Sequence, residues 1–175
     1  GKGILVFSDG RKSKFNNVII NNLNNTLNTK LNITGAITFF ESPVDLENSL
    51  FTNIKSEDAL NIINTDFVIE NVTFKNCSSD ALDADFCNGS IINSIFVNLG
   101  NDAIDISGSN ILIDRVIINK ALDKGISVGE NSSALVQNTE LRYCNIGVAV
   151  KDESKSELKN LNVDNCEYGI AGYRK

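Results

Sequence analysis

The chain has 175 residues, a hydrophobic content of 42% and a formal net charge of −6 at pH 7. This length suits one domain, and the hydrophobic fraction is sufficient for a continuous core. The acidic balance argues against nucleic acid as a partner, and no apolar run in the sequence approaches the ~18 residues that predict a membrane span.

A small residue followed by a branched apolar residue recurs along the chain every 22 or 23 residues. Such a period is typical of a solenoid, in which each repeat buries its apolar face by stacking on its neighbours. The pairs are Ala36-Ile37, Ala59-Leu60, Ala81-Leu82, Ala103-Ile104, Gly125-Ile126, Gly147-Val148 and Gly169-Ile170. We expect one solenoid over residues 1–175 and, since no terminal cap is evident, a piece of a longer polypeptide.

Each repeat contains three short strand patterns in chain order. Apolar and polar residues alternate in pieces such as Val72-x-Phe74, and nothing at helical spacing lies between them. The first strand carries the apolar column Phe15, Leu46, Ile69, Ile91, Ile113, Val136 and Leu158. The second carries Ile20, Phe51, Phe74, Phe96, Ile118, Leu141 and Val163. The small-apolar pair opens the third strand, and residues 24–34 are predicted to be an insertion that lengthens the first coil.

Two solenoid classes have repeats near this length, the leucine-rich repeat and the parallel β-helix. A leucine-rich repeat would follow its strand with a helical or 3₁₀ stretch, whereas strand residues resume directly after Asn76. The predicted fold is therefore all-β, a single-stranded parallel β-helix of about seven coils with a period of about 22 residues. We expect right-handed coils, as in other crossovers between parallel strands.

Asparagine recurs in two columns of the aligned repeats. One contains Asn17, Asn48, Asn71, Asn93, Asn138 and Asn160, with Arg115 in the gap. The other contains Asn22, Asn53, Asn76, Asn98 and Asn165. Stacked coils lie ~4.8 Å apart, so amides in one column can hydrogen-bond to each other as a ladder at a turn. Contact with sugars is the functional alternative for the same residues.

The position of a residue in the aligned repeats also predicts whether cysteine and aromatic side chains are buried or exposed. Cys77, Cys144 and Cys166 share an interior column, where Cys144 and Cys166 are neighbours and either stay free or form a bridge. The exposed aromatic residues are expected to be Tyr143, Tyr168, Tyr173 and Phe40.

Two neighbouring repeats contain the acidic strands Asp80-Ala81-Leu82-Asp83-Ala84-Asp85 and Asp102-Ala103-Ile104-Asp105-Ile106-Ser107. With the apolar members pointing inward, the polar members point outward on one face. Stacking by one repeat places Asp83 beside Asp105 and Asp80 beside Asp102, and Lys124 continues the second column. We call this surface the acidic face; it comprises Asp80, Asp83, Asp85, Asp102, Asp105 and Ser107.

Carboxylates on adjacent strands repel each other, so the acidic face needs raised pKa values, a cation or compensating hydrogen bonds. A structural interpretation makes Asp58, Asp80 and Asp102 turn formers, with Lys124 in an axial salt bridge. Another is a calcium site. Its ligands would be Asp83, Asp85 and Asp105.

A third interpretation of the acidic face is catalysis on a polysaccharide. Asp83 and Asp105 would serve as acid and base, or Lys124 would accept a proton. The remaining members of the acidic face would bind substrate; they are Asp80, Asp85, Asp102 and Ser107.

The repeat resembles the right-handed parallel β-helix families of pectate-lyase-like architecture, which include polysaccharide lyases, epimerases and polygalacturonases. Asp80-Ala81-Leu82-Asp83 and Asp102-Ala103-Ile104-Asp105 look like the acidic strand starts of such proteins. The resemblance implies a polysaccharide lying along one outward sheet. The chain has no His, which polygalacturonase-type and alginate-epimerase-type motifs require. Only a calcium-dependent lyase with a Lys or Arg base is left open, with Lys124, Lys120 or Arg115 as that base.

Residues 123–130 and 168–173 are similar to β-helix stretches of bacterial surface proteins. The resulting hypothesis is a polysaccharide-binding or polysaccharide-processing module, extracellular or on the cell surface, attached to other domains of the same polypeptide. The alternatives are a non-catalytic structural or assembly solenoid and, third, a calcium-dependent lyase or epimerase.

Overall fold

The computed structural model of the chain describes residues 2–7, 10–24 and 33–174. All regular elements in these ranges are β-strands. The first eleven are β1 (Ile4–Phe7), β2 (Ser13–Asn16), β3 (Ile19–Asn21), β4 (Gly35–Phe40), β5 (Val44–Glu47), β6 (Leu50–Thr52), β7 (Asp58–Ile63), β8 (Asp66–Glu70), β9 (Thr73–Cys77), β10 (Asp80–Asp85) and β11 (Asn88–Ile92). The others are β12 (Ile95–Leu99), β13 (Ile104–Ser107), β14 (Asn110–Asp114), β15 (Ile117–Ala121), β16 (Lys124–Gly129), β17 (Ser133–Gln137), β18 (Glu140–Arg142), β19 (Ile146–Lys151), β20 (Lys155–Lys159), β21 (Asn162–Asp164) and β22 (Tyr168–Tyr173).

These strands stack into three parallel sheets, and every third strand of the chain belongs to the same sheet. Sheet A contains β1, β4, β7, β10, β13, β16, β19 and β22. Sheet B contains β2, β5, β8, β11, β14, β17 and β20. Sheet C contains β3, β6, β9, β12, β15, β18 and β21. One coil therefore adds one strand to each sheet, which confirms the predicted β-solenoid. No helix that could cross a membrane is found in the described ranges.

The register between coils is the one that the sequence columns predict. Leu60 pairs with Leu82, and Leu82 pairs with Ile104 on sheet A. In the interior of sheet C, the rings of Phe51, Phe74 and Phe96 are stacked, with centroids 4.7 and 5.0 Å apart. Such pairs contribute roughly 0.5–1.5 kcal/mol each beyond the burial of their area. The core is thus a set of in-register apolar columns along the axis.

The two asparagine columns lie at corners of the coils. Asn71 and Asn76 have φ values of 54° and 56°, in the left-handed region that Asn tolerates better than most residues. The amide of Asn71 donates to Asn48 Oδ1 at 2.7 Å, which confirms the predicted ladder. Arg115 adopts the same conformation with φ 53° and donates from Nε to Asn93 Oδ1 at 2.7 Å. The arginine cannot accept in turn, so the amide of Asn138 donates instead to Oδ1 of the neighbouring Asp114 at 2.8 Å.

The insertion predicted at residues 24–34 falls largely on residues 25–32, which lie outside the described ranges.

Candidate functional site

The acidic face is formed by the outward side chains around β10 and β13 on sheet A. Asp83 pairs with Asp105, and Asp85 pairs with Ser107. The alternate side chains of these strands, including Leu82, are fully buried. The strand period of two therefore turns the carboxyl groups outward. The predicted placement of Asp83 beside Asp105 on the neighbouring coil is confirmed.

The column of Asp80, Asp102 and Lys124 connects successive coils. Asp80 Oδ1 accepts a hydrogen bond from the backbone N–H of Asp102 at 2.8 Å, and Asp102 Oδ1 accepts one from the backbone N–H of Lys124 at 2.8 Å. The structural interpretation expected each Asp to bond to its own turn, but these two carboxylates bond to the next coil. Asp80 and Asp102 therefore stabilise the stacking of coils, and a role in substrate binding would be additional.

Lys124 is held between carboxylates. Its Nζ lies 3.4 Å from both oxygens of Asp102 and also donates to Asp123 Oδ2. Burial lowers the pKa of Lys124, but the hydrogen bond to Asp123 and the charges of Asp102 and Asp123 outweigh burial and leave the pKa raised. This environment favours the cation and supports the predicted axial salt bridge. Its role as a proton acceptor stays a prediction.

The carboxyl group of Asp83 is unusual among those of the acidic face. Burial, followed by the charges of Asp85 and Asp58, raises the pKa of Asp83 to about 9. The amide of Asn61 donates to Asp83 Oδ2 at 3.2 Å. Burial and the charge of Asp105 also raise the pKa of Asp85. Asp83 is therefore a neutral carboxylic acid at pH 7, able to donate a hydrogen bond as well as accept one.

Lys151, two coils beyond Asp105, supplies a cation that the sequence analysis missed. Its Nζ lies 4.0 Å from Asp105 Oδ1, and its side chain is only 7% exposed. The aliphatic chain passes over Gly129, where an added Cβ would lie 2.6 Å from Lys151 Cε. The signal in the sequence was the outward column that contains Asp85, Ser107, Gly129 and Lys151.

A groove opens beside Asp83 at the N-terminal end of sheet A. Its volume is about 420 Å³, and its lining residues are Leu5, Phe7, Ile33, Thr34, Thr38, Phe40, Asn61, Ile63, Asp83 and Asp85. Phe7 and Phe40 are 48% and 37% exposed, with ring centroids 5.8 Å apart. Thr38 is 1% exposed, and its hydroxyl has no hydrogen-bond partner within the described ranges. The sequence predicts an exposed Phe40 but gives no indication of the exposed Phe7.

Another exposed aromatic residue borders the acidic face. Phe86 follows Asp85 directly, is 63% exposed and has a φ of 55°. A bulky residue in the left-handed region is uncommon, and such residues concentrate at functional sites. Its ring covers Gly108 on the next coil. The strand columns of the sequence do not predict this exposure, because Phe86 lies at a corner rather than in a strand.

The sequence predicts a calcium site among the carboxyl groups of the acidic face. Among residues 2–7, 10–24 and 33–174, no group of three or more His, Cys, Asp or Glu side chains is placed to hold a metal ion. The calcium site at Asp83, Asp85 and Asp105 therefore stays a prediction, and we derive no chemical step through calcium.

The comparisons with known proteins concern the family of the chain. A search of the curated proteins found no match. The model of the family described as "right handed beta helix region" matches residues 58–175, which is more than half of the chain and includes the whole acidic face. The match agrees with the parallel solenoid of the structure and confirms the predicted handedness. The chain belongs to the right-handed β-helix family.

Proposed function

We propose that this chain is a glycan-binding β-helix module, and that a polysaccharide lies along the helix axis on the outer face of sheet A. One observation carries the proposal: an outward column of sheet A begins with aromatic rings and ends with one. Its members in order are Phe7, Phe40, Ile63, Asp85, Ser107, Gly129, Lys151 and Tyr173. Aromatic rings thus stand at both ends of a polar middle. Aromatic faces and carboxyl groups are the two kinds of side chain that bind sugars through their C–H faces and hydroxyls.

The spacing of the coils suits an extended glycan. Neighbouring strands of sheet A lie ~4.8 Å apart, so the eight strands span roughly 34 Å. A hexose in an extended chain is about as long as one strand spacing. A polysaccharide along the axis would therefore meet a new coil with each sugar, and the repeated outward columns would give each sugar similar contacts.

The contacts of the carboxyl groups separate binding from a purely structural role. Asp80 and Asp102 bond to backbone N–H groups of the next coil, which is a structural task. Among the described residues, Asp83 receives a hydrogen bond from the side chain of Asn61 and none from a backbone N–H of the next coil. Burial of Asp83 destabilises its charged form, so a structural solenoid would gain nothing from it. We therefore propose Asp83, Asp85 and Asp105 as the principal sugar-binding carboxyls, with Ser107 beside them.

Affinity electrophoresis in gels that contain acidic, neutral or basic glycans tests the proposal. We expect retardation by at least one glycan, and less retardation for the Asp83→Asn and Asp85→Asn variants. Asp66→Asn in β8 is the matched control, because this exposed carboxylate lies on sheet B. Migration unchanged by every glycan would overturn glycan binding and favour the structural solenoid.

A second candidate function is turnover of the bound glycan. It is favoured by the different surroundings of the paired carboxyls, since Asp83 has a pKa of about 9 whereas Asp105 lies beside Lys151. A neutral acid facing a carboxylate is the arrangement of acid–base catalysis on glycosides. Release of unsaturated or reducing sugars, lost in Asp105→Asn with binding retained, would support turnover. Binding without product at any pH would exclude it.

The setting of the module follows from its proposed ligand. Many polysaccharides are displayed outside cells, and we propose an extracellular or cell-surface location. We also propose attachment to other domains of the same polypeptide. Binding of calcium is tested by a separate experiment. Thermal unfolding with and without calcium should show a higher midpoint with the ion if the native state binds it.

A further inference from the structure

The groove beside Asp83 joins apolar walls to a polar floor. Phe7, Phe40 and Ile63 are in register on β1, β4 and β7, and Asp85 on β10 continues their column. Leu5 completes the walls. The volume of about 420 Å³ lies in the range of ~300–1,000 Å³ that is typical of ligand sites. We call this surface the aromatic groove.

The floor of the aromatic groove contains a polar group that lacks a partner. Thr38 is 1% exposed, lines the groove, and its Oγ1 has no hydrogen-bond partner in the described part of the chain. Asn61, 2% exposed, lies opposite Thr38 in the register and uses its amide for Asp83. Buried hydroxyls are almost always hydrogen-bonded in native proteins. A ligand hydroxyl in the groove would supply the missing partner.

Within the described ranges, no cationic side chain is paired with the carboxyl groups of the aromatic groove. Asp102 has Lys124 and Asp105 has Lys151 as cationic neighbours, but no ion pair reaches Asp83 or Asp85 within the described ranges. No Lys or Arg is among the described lining residues. An anionic glycan would meet like charge there, whereas a cationic group would find one or two carboxyl groups without competitors.

We propose that the aromatic groove binds an amino sugar of the glycan, with the free ammonium group at Asp85 and Asp83. The C–H face of the pyranose stacks on Phe7 and Phe40, and a ring hydroxyl bonds to Thr38 Oγ1. This inference rests on the proposed glycan binding and deepens it by naming the substrate class. The charge of Asp85 is one cause of the raised pKa of Asp83, so a cation at Asp85 also favours the ionised form of Asp83.

Matched oligosaccharides test the inference. The probes are a β-1,4-linked glucosamine oligomer, its fully N-acetylated counterpart, a neutral glucan oligomer and an oligogalacturonate, each titrated calorimetrically into the full chain. We expect the Kd of the glucosamine oligomer to be lower than that of the N-acetylated oligomer by about tenfold or more. Each tenfold difference in Kd corresponds to ~1.4 kcal/mol of binding free energy. We also expect its affinity to fall with added salt, since the ion pair is partly exposed.

Two variants separate the contacts. Asp85→Asn removes a charge at a half-buried position and should abolish the preference for the free amine. Thr38→Val removes only the hydroxyl and should weaken both oligomers by the same factor. Asp66→Asn on sheet B should leave both affinities unchanged. Thermal unfolding of each variant verifies that the fold is retained.

The outcomes distinguish this inference from the proposed function. Equal or tighter binding of the N-acetylated, neutral or acidic oligomer overturns the amino-sugar site but retains glycan binding. A preference for the free amine that persists in Asp85→Asn also overturns the site. If none of the four oligomers binds, both proposals fail for these glycans. If only the preference for the free amine is lost in Asp85→Asn, the inference stands.

Discussion

Asp83 and Asp105 face each other on adjacent strands, and Lys151 Nζ lies 4.0 Å from Asp105, whereas no ion pair among the described residues reaches Asp83. Asp83 is stabilised instead as a neutral acid, because burial and the charges of neighbouring carboxyls raise its pKa. The two members of one register pair therefore lie in different electrostatic surroundings. Burial and the charges of Asp85 and Asp58 act on Asp83, whereas the cation beside Asp105 comes from a coil farther along the axis.

The first prediction concerns the pH dependence of stability. Burial raises the pKa of Asp83 to about 9 in the folded state, whereas the pKa of an Asp in the unfolded chain is ~3.9. Below ~4 the group is protonated in both states, so it costs no stability. As pH rises from ~4 to ~9, the unfolded state loses the proton first, and the free energy of unfolding falls. We therefore expect the midpoint temperature of unfolding to be higher at pH ~5 than at pH ~8.

The variant Asp83→Asn tests this origin. It should raise the midpoint near pH ~8, by about 2–4 °C for each kcal/mol regained, and flatten the pH dependence. Burial also raises the pKa values of Asp58 and Asp102, to about 7 and about 6, so a weaker slope should persist. Circular dichroism melts across the pH range measure both effects. A lower midpoint of Asp83→Asn at alkaline pH would contradict the assignment.

The second prediction concerns Asp102 as a connector between coils. Asp102→Ala leaves the backbone N–H of Lys124 without its acceptor and should cost about 1–3 kcal/mol. Asp102→Asn retains an acceptor oxygen, so it should cost less. Urea unfolding of the two variants compares these free energies. Equal losses in both would assign the stabilisation to the ion pair with Lys124 rather than to the backbone hydrogen bond.

The third prediction concerns the exposed corner at Phe86. The φ of 55° disfavours a bulky side chain, whereas Asn occupies the same conformation in neighbouring corners such as Asn64, with φ 53°. Phe86→Asn should therefore stabilise the chain by about 1 kcal/mol. Thermal unfolding measures the change. Destabilisation instead would mean that the contact of the ring with Gly108 outweighs the backbone strain.

The fourth prediction concerns thiol reactivity in the native state. Burial raises the pKa values of Cys77, Cys87 and Cys144 to about 12, about 11 and about 12. Because the thiolate is the reactive form, these three should react slowly with a thiol reagent. Cys166 is only partly buried and should react first. Peptide mass spectrometry after a short labelling pulse identifies the modified residue, and denatured protein, in which all four should react, is the control.

Labelling after mild oxidation addresses the predicted neighbours Cys144 and Cys166. Both are free in this structure, and the charge of Cys166 contributes to the raised pKa of Cys144. Protection of both thiols together would indicate that the bridge forms between adjacent coils.

The register columns of the core were predictable because stacking repeats side chains at a constant interval. Leu60, Leu82 and Ile104 align for this reason, and the asparagine columns align because each coil needs a left-handed corner at the same place. The pairing of Asp83 with Asp105 follows from the same repetition. Local pattern and global fold agree at these positions.

The exposed and electrostatic features were not predictable from the columns alone. Phe7, Phe86 and Lys151 were missed, since the direction of a long side chain depends on the space left by other columns. Lys151 reaches Asp105 only because Gly129 between them has no side chain.

The sequence by itself determined the parallel β-helix, its period and its inward columns, because in-register burial of apolar side chains is a property of the repeat. Only the tertiary structure decided which carboxyl groups are neutral, which are paired and where a groove opens. Those properties depend on burial and on distances between side chains of different coils, and a repeat pattern contains neither.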